Sequence, residues 1–180
     1  MAFNVIVADP PWQTSDKNTN GKRGASFKYP TMPLPDICNM QLPPIADDAW
    51  LFLWRIACMP REALDVVSAW GFKPKTELVW QKLTKNGKHA FALGHYTRAS
   101  HETCILAVRG RVKPASKSIR STFSARAFEH SAKPDEFFDI VERLTGPDMS
   151  RLELFSRRNR PGWTCLGNEA GKRGTVGGAA

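Results

Sequence analysis

Apolar residues along this chain gather in short blocks, set apart by polar stretches rich in Gly, Asn, Lys and Arg. The first block, residues 3–8 (FNVIVA), has the composition of a buried strand. Residues 49–56 (AWLFLWRI) are apolar and aromatic almost throughout, the pattern of a strand covered on both faces. PREALDVVSAWG (60–71) then predicts a helix. Pro60 suits its first turn, Ala63, Leu64, Val67 and Trp70 share a face, and Gly71 is a natural stop. Two further strands are predicted over 75–83 (KTELVWQKL) and 102–110 (ETCILAVRG). A second helix over 133–146 has Pro134 at its start, Asp135 and Glu136 at the positive end of its dipole and Gly146 past its end. Strands over 150–157 and 162–168 follow, and residues 34–40 suit a short helix. Between these elements, 13–30, 84–100 and 111–130 carry no periodicity and are expected as polar, basic connections, the second with an Asn86-Gly87 turn. Residues 170–180 have the composition of a disordered tail, which leaves 1–169 as a single domain.

Strands alternating with helices predict an α/β domain with a mostly parallel sheet and helices on both faces. In such sheets ligands bind where strands end. Two chemically unusual segments follow strands directly: Asp9-Pro10-Pro11-Trp12 after the first, and SRRNRPG (156–162) after the strand near 152–155. They are expected to share a site.

Composition narrows the function classes. At 180 residues with 42% hydrophobic and 24% charged, the chain is long enough for one real core and is not of the disordered class. No apolar run approaches the roughly 20 residues of a membrane span. No signal peptide is evident in MAFNVIV. Cys38, Cys58, Cys104 and Cys165 form no C-x-x-C pair, which argues against a zinc site and a disulfide scaffold and fits a reducing cytoplasm. A formal net charge of +9 suits a phosphate-bearing partner. The basic loops supply candidate contacts to it: Lys22, Arg23 and Lys28 in one, and Lys82 and Arg98 beside the other.

The chemistry concentrates in Asp9–Trp12. An exocyclic amine on a nucleobase is a poor nucleophile because its lone pair is delocalised into the ring. A carboxylate accepting one N–H and a backbone carbonyl accepting the other would stabilise the positive charge that develops on attack. Pro10 offers a carbonyl and no donor, the two prolines preset the backbone, and Trp12 offers a stacking face.

With these residues in place, the chain resembles the adenine-N6 methyltransferases of the Asp-Pro-Pro-Trp type. That family includes the catalytic subunit of the eukaryotic messenger-RNA adenosine methyltransferase and many short bacterial and phage DNA methyltransferases. Nine segments carry the resemblance in order: VIVADPPW, YPTM, LFLWR, WGF, LVWQK, GHYTRASHE, HSAKPDEFFDIVERL, LELFSRR and GWTCLGNE. The compact length and GHYTRASHE are closer to the phage and bacterial members. The resemblance implies a permuted Rossmann-like fold in which the catalytic strand precedes the main cofactor strand, and S-adenosylmethionine as cofactor. It implies that Asp9 and Pro10 hold the target amine, that Trp12 stacks on the base and that Tyr29 belongs to a closing loop. It places Lys133 at the cofactor carboxylate with Ser131 nearby, Leu154 and Phe155 in the cofactor cleft, Arg157 and Asn159 at the ribose, and Asn168 and Glu169 near the ribose and adenine edge. The expected activity is N6 methylation of adenine in DNA. RNA, cytosine N4 and a catalytically silent nucleic-acid-binding subunit are the alternatives, with a homodimer or a partner subunit as a further expectation. Trp54 and Trp80 are expected to pack the core. Glu102 is expected to be either a site residue or an anchor for the 84–101 loop.

Overall fold

A computed structural model describes residues 2–14, 30–92, 96–127 and 132–167. Its frame is a seven-stranded sheet in the order β5-β3-β4-β2-β1-β6-β7, formed by β1 (Phe3–Ala8), β2 (Ile45–Arg55), β3 (Lys73–Leu83), β4 (His101–Arg109), β5 (Thr122–Arg126), β6 (Arg151–Leu154) and β7 (Trp163–Leu166). β1 lies between β2 and β6, parallel to both, and β6–β7 and β3–β5 are also parallel. The expectation of a mostly parallel sheet holds except at β4, which runs against both β2 and β3. The physical reason lies in the 84–100 connection. A parallel neighbour needs a crossover, usually helical, whereas β3 returns as β4 through a connection with no helix among its described residues.

The predicted helices form as α1 (Leu34–Cys38), α2 (Pro60–Ala69) and α3 (Asp135–Thr145). α3 ends where Gly146 takes φ 97, a conformation open to glycine at little cost. The sheet separates two apolar clusters. On one face Phe137, Phe138, Val141 and Leu144 of α3 pack with Val5, Val7, Phe52, Trp54, Trp80 and Leu106. On the other, Ile37 of α1 and Ala63, Val66 and Val67 of α2 join Ile6, Leu51, Leu53, Ile105 and Leu152. Central strands covered on both sides explain why 49–56 and 102–109 are apolar without alternation.

One element departs from expectation. Residues 111–130 were expected to be irregular, yet Thr122–Arg126 forms β5 along the edge of β3. Its five residues bury only Ala125, so no apolar signal marks it; the open edge of β3 supplies the pairing. No helix among the described residues is long and apolar enough to cross a membrane, no group of residues there could hold a metal ion, and the four cysteines are free.

Candidate active site

Side chains on a strand alternate between faces, and this rule builds the site. Val5 and Val7 face α3, so the next position on that face is Asp9. Phe52 leads to Trp54 in the same way, Leu78 and Trp80 to Lys82, and Leu106 and Cys104 to Glu102. β4 runs backwards, so its first residues reach the sheet end at which β1, β2, β3 and β6 finish. Asp9, Lys82 and Glu102 are thus the polar rim of one apolar face, and Lys133, just before α3, caps it.

The rim is a chain of alternating charge. Lys133 Nζ lies 2.8 Å from Asp9 Oδ2 and 3.0 Å from Glu102 Oε2, and Glu102 also pairs with Lys82. Lys133 Nζ sits 5.0 Å from the centre of the Trp54 ring, and Lys82 Nζ 5.0 Å from that of Trp80. Burial alone would lower the Lys133 ammonium, but Asp9 and Glu102 outweigh it and hold Lys133 above its ordinary value. Burial likewise favours a neutral Glu102, but Lys133 and Lys82 reverse the sign and hold that carboxyl below its usual range. Asp9 and Glu102 thus flank one buried lysine and favour its charged form.

Beside this chain lies an open cleft lined by Val7, Asp9, Trp54, Lys133, Glu153 and Phe155 among others. Phe155, at the exit of β6, has φ 60, a strained setting for an aromatic residue. Glu153 stands opposite Val7 on β1 and faces the same side. Burial raises its carboxyl, a shift only partly offset by Arg160, by hydrogen bonds from Ser156 and Cys165 and by Arg158. The Nε1 of Trp54 is buried and has no hydrogen-bond partner among the described residues.

The sequence-predicted residues divide clearly. Asp9, Lys133, Leu154, Phe155 and Arg157 converge on the cleft. Pro10 is buried and its carbonyl accepts the Trp12 N–H at 2.8 Å, a tight turn about Pro11, while the Pro11 carbonyl accepts the Met32 N–H at 2.8 Å. Asn159 is exposed and is not among the cleft residues; Arg158 lines it instead, pairing with Asp135 as Arg160 does at 2.7 Å. Lys82 was expected at substrate phosphates, but its ammonium is engaged by Glu102 within the rim, because alternation along β3 turns it inward. Arg98 is exposed, with its guanidinium 5.4 Å from the centre of the Phe91 ring. Lys22, Arg23, Lys28, Tyr29, Ser131, Asn168 and Glu169 lie outside the described residues.

Trp12 requires a correction. Its indole is only 5% exposed and belongs to the cluster on the α2 face, and its Nε1 donates to the Trp54 carbonyl at 3.0 Å. So placed, the ring has no open face for a base. It pins the Asp-Pro-Pro turn to β2, since burial satisfies both its large apolar area and its one donor. Trp54 and Trp80 do pack the core, as expected, at 1% and 2% exposure, but Trp54 also borders the cleft. Glu102 joins the site. What could have placed it is its even spacing from Cys104, Leu106 and Val108, which puts it on their face of β4.

With this geometry in view, comparison with known proteins is decisive. Residues 3–169 match the MT-A70 family pattern. The chain belongs to the MT-A70 family. The resemblance drawn from its motifs therefore holds. This MT-A70 chain is 30% identical to the type II methyltransferase M.MunI of Mycoplasma sp over 187 residues, 93% of this chain and 77% of that protein. It is 30% identical to the probable N(6)-adenosine-methyltransferase MT-A70-like of Oryza sativa subsp. japonica, across 93% of this chain and 23% of that protein. The human N(6)-adenosine-methyltransferase catalytic subunit METTL3 is 28% identical, with 93% and 28% covered. The chain thus spans about a quarter of the length of these plant and human relatives.

Proposed function

We propose that this chain is an S-adenosylmethionine-dependent methyltransferase that modifies the N6 amine of adenine in DNA. The observation that carries the reading is the Asp9 carboxylate at the tip of β1, held by Lys133 at 2.8 Å on the border of a cleft. Family membership, the activities named for the plant and human relatives and the basic surface charge support it. For DNA rather than RNA, the support is the extent of the match to the bacterial type II methyltransferase.

The residues fit the cofactor. The cleft combines a cation suited to a carboxylate, an apolar wall at Leu154 and Phe155, and the orphaned Trp54 N–H. When bound, S-adenosylmethionine supplies an electrophilic methyl group. Lys133 has three N–H donors; two are directed to Asp9 and Glu102, and the third is the one we assign to the donor carboxylate. Arg157 we assign to the ribose side. Ser131, Asn168, Glu169 and Tyr29 keep the roles that the resemblance implies, and so does the permuted Rossmann-like arrangement, to which the central β1 beside β6 is suited.

Asp9 accepts one N–H of the adenine amine and raises the electron density on nitrogen. The Pro10 carbonyl spends one lone pair on Trp12 and has a second for the other amine N–H. The buried Trp12 keeps both acceptors in register. The positive charge that develops on N6 meets a carboxylate and a carbonyl already in place, so no reorganisation is needed at the moment of attack. The methylated amine is then a strong acid and releases its proton to water without a dedicated base.

The test is to incubate the protein with methyl-labelled donor and, separately, duplex DNA, single-stranded DNA and RNA, then analyse nucleosides by mass spectrometry. N6-methyladenine in DNA is expected, with Asp9→Asn lowering the rate about 10²–10³-fold. N6-methyladenine in RNA alone would reassign the polymer, and N4-methylcytosine the base. Donor binding without any product would leave a silent binding subunit.

A further inference from the structure

The most exposed large hydrophobic side chains among the described residues lie close together in the chain: Phe91 at 78% and Tyr96 at 100%. Both belong to the connection between β3 and β4. The described residues of that connection fold back towards the end of β3. Thr84 N donates to Lys88 O at 2.7 Å, Ala90 N to Lys82 O at 2.8 Å, Ala92 N to Ala99 O at 3.1 Å, and Lys82 N to Ser100 O at 2.9 Å. The aromatic pair is therefore carried on an extension rooted at Lys82. Lys82 itself pairs with Glu102, which shares Lys133 with Asp9. The extension is joined to the rim of the site.

We propose that Phe91 and Tyr96 form an aromatic finger that stacks on nucleobases flanking the target adenine. The inference rests on the nucleic-acid reading of the site and extends it to a second contact surface. Phe91 and Tyr96 offer exposed aromatic faces among cations, and every base offers a flat π face. The surroundings select nucleic acid over protein. The core of a protein interface is depleted of charge, whereas Lys85 and Lys88 are exposed on the same connection as these rings and the Arg98 guanidinium lies over Phe91. Cations at this spacing can meet phosphates while the rings meet bases. For a duplex, rings placed in the stack would offset the unstacking that exposure of a paired adenine requires.

The test compares the full chain with a Phe91→Ser/Tyr96→Ser double variant, using a fluorescent adenine-containing DNA. Affinity should fall about 10- to 100-fold. The slope of affinity against salt should stay unchanged, because no phosphate contact is removed. Melting temperature and donor affinity by calorimetry should match the wild type, and Phe91→Tyr/Tyr96→Phe should restore binding. A double variant that binds DNA within twofold of the wild type overturns the finger. So does light scattering in which the variant only dissolves a dimer, with DNA affinity per protomer unaltered. The two readings separate cleanly. A wild type that methylates normally beside an equally active variant sinks the finger alone. A wild type that binds DNA through these rings yet methylates nothing sinks the enzymatic reading alone. No DNA binding by the wild type overturns both.

Discussion

Replacing Glu102 by Gln removes one negative charge from the centre of the rim while preserving size and one acceptor oxygen. In the native protein Glu102 Oε2 lies 3.0 Å from Lys133 Nζ, and the carboxylate pairs with Lys82 as well. At that separation and an effective dielectric of about 20, one such contact is worth roughly 5 kcal/mol in gross Coulomb terms. Most of this is offset. The carboxylate is three-quarters buried and has been taken out of water, and the amide oxygen still accepts a hydrogen bond. Lys133 also keeps Asp9 at 2.8 Å. The net loss at pH 7 should be about 1–3 kcal/mol. Denaturant unfolding of wild type and variant across pH measures it. The folded-state carboxyl is held below its ordinary value of 4.5, so its contribution is fully present above pH 4.5 and disappears as pH falls through the lowered value. The two unfolding curves should converge on acidification. A gap that persists unchanged to the lowest pH, or no gap at neutrality, would refute the argument that charge on Glu102 holds Lys133. Donor affinity should fall with stability, because Lys133 loses one of the two anions that aim it.

Two structural predictions accompany this one. Trp12→Phe keeps the apolar burial but deletes the 3.0 Å bond to the Trp54 carbonyl; unfolding free energy should drop about 1–2 kcal/mol, whereas a ring acting only as a base platform would leave it unchanged. Gly167→Ala would place a Cβ 2.6 Å from the Ser156 nitrogen and nearer still to its carbonyl oxygen, so the β6 and β7 exits must separate; a loss of at least about 1–3 kcal/mol by denaturation is expected.

Local patterns were enough to show most of the strands and all three helices. The apolar blocks at 3–8, 49–56 and 102–110 exceed any plausible exposed surface, so they had to be interior strands, and β1, β2 and β4 occupy the middle of the sheet. Pro134, Asp135 and Gly146 bracket α3 through backbone chemistry that needs no tertiary partner. β5 was hidden because an edge strand with one buried residue takes its stability from the neighbour it pairs with. The direction of β4 was not read because an apolar block does not say which way a strand runs; its one clue was the lack of a helical pattern in 84–100.

The candidate site divides along the same line. Asp9, Pro10 and Pro11 stand out in the sequence as candidates because their chemistry is local: an acid and two rigid residues at a strand's end. Trp12 was misread because an indole has the same composition signature whether it offers a face or hides one, and only packing against the α2 side of the sheet decides. Glu102 and Lys133 stand 31 positions apart in the chain, and Glu102 stands 93 positions from Asp9. No spacing rule joins them. Their meeting at one lysine depends on an antiparallel strand delivering its beginning to the place where parallel strands end, and that is a property of the assembled sheet alone.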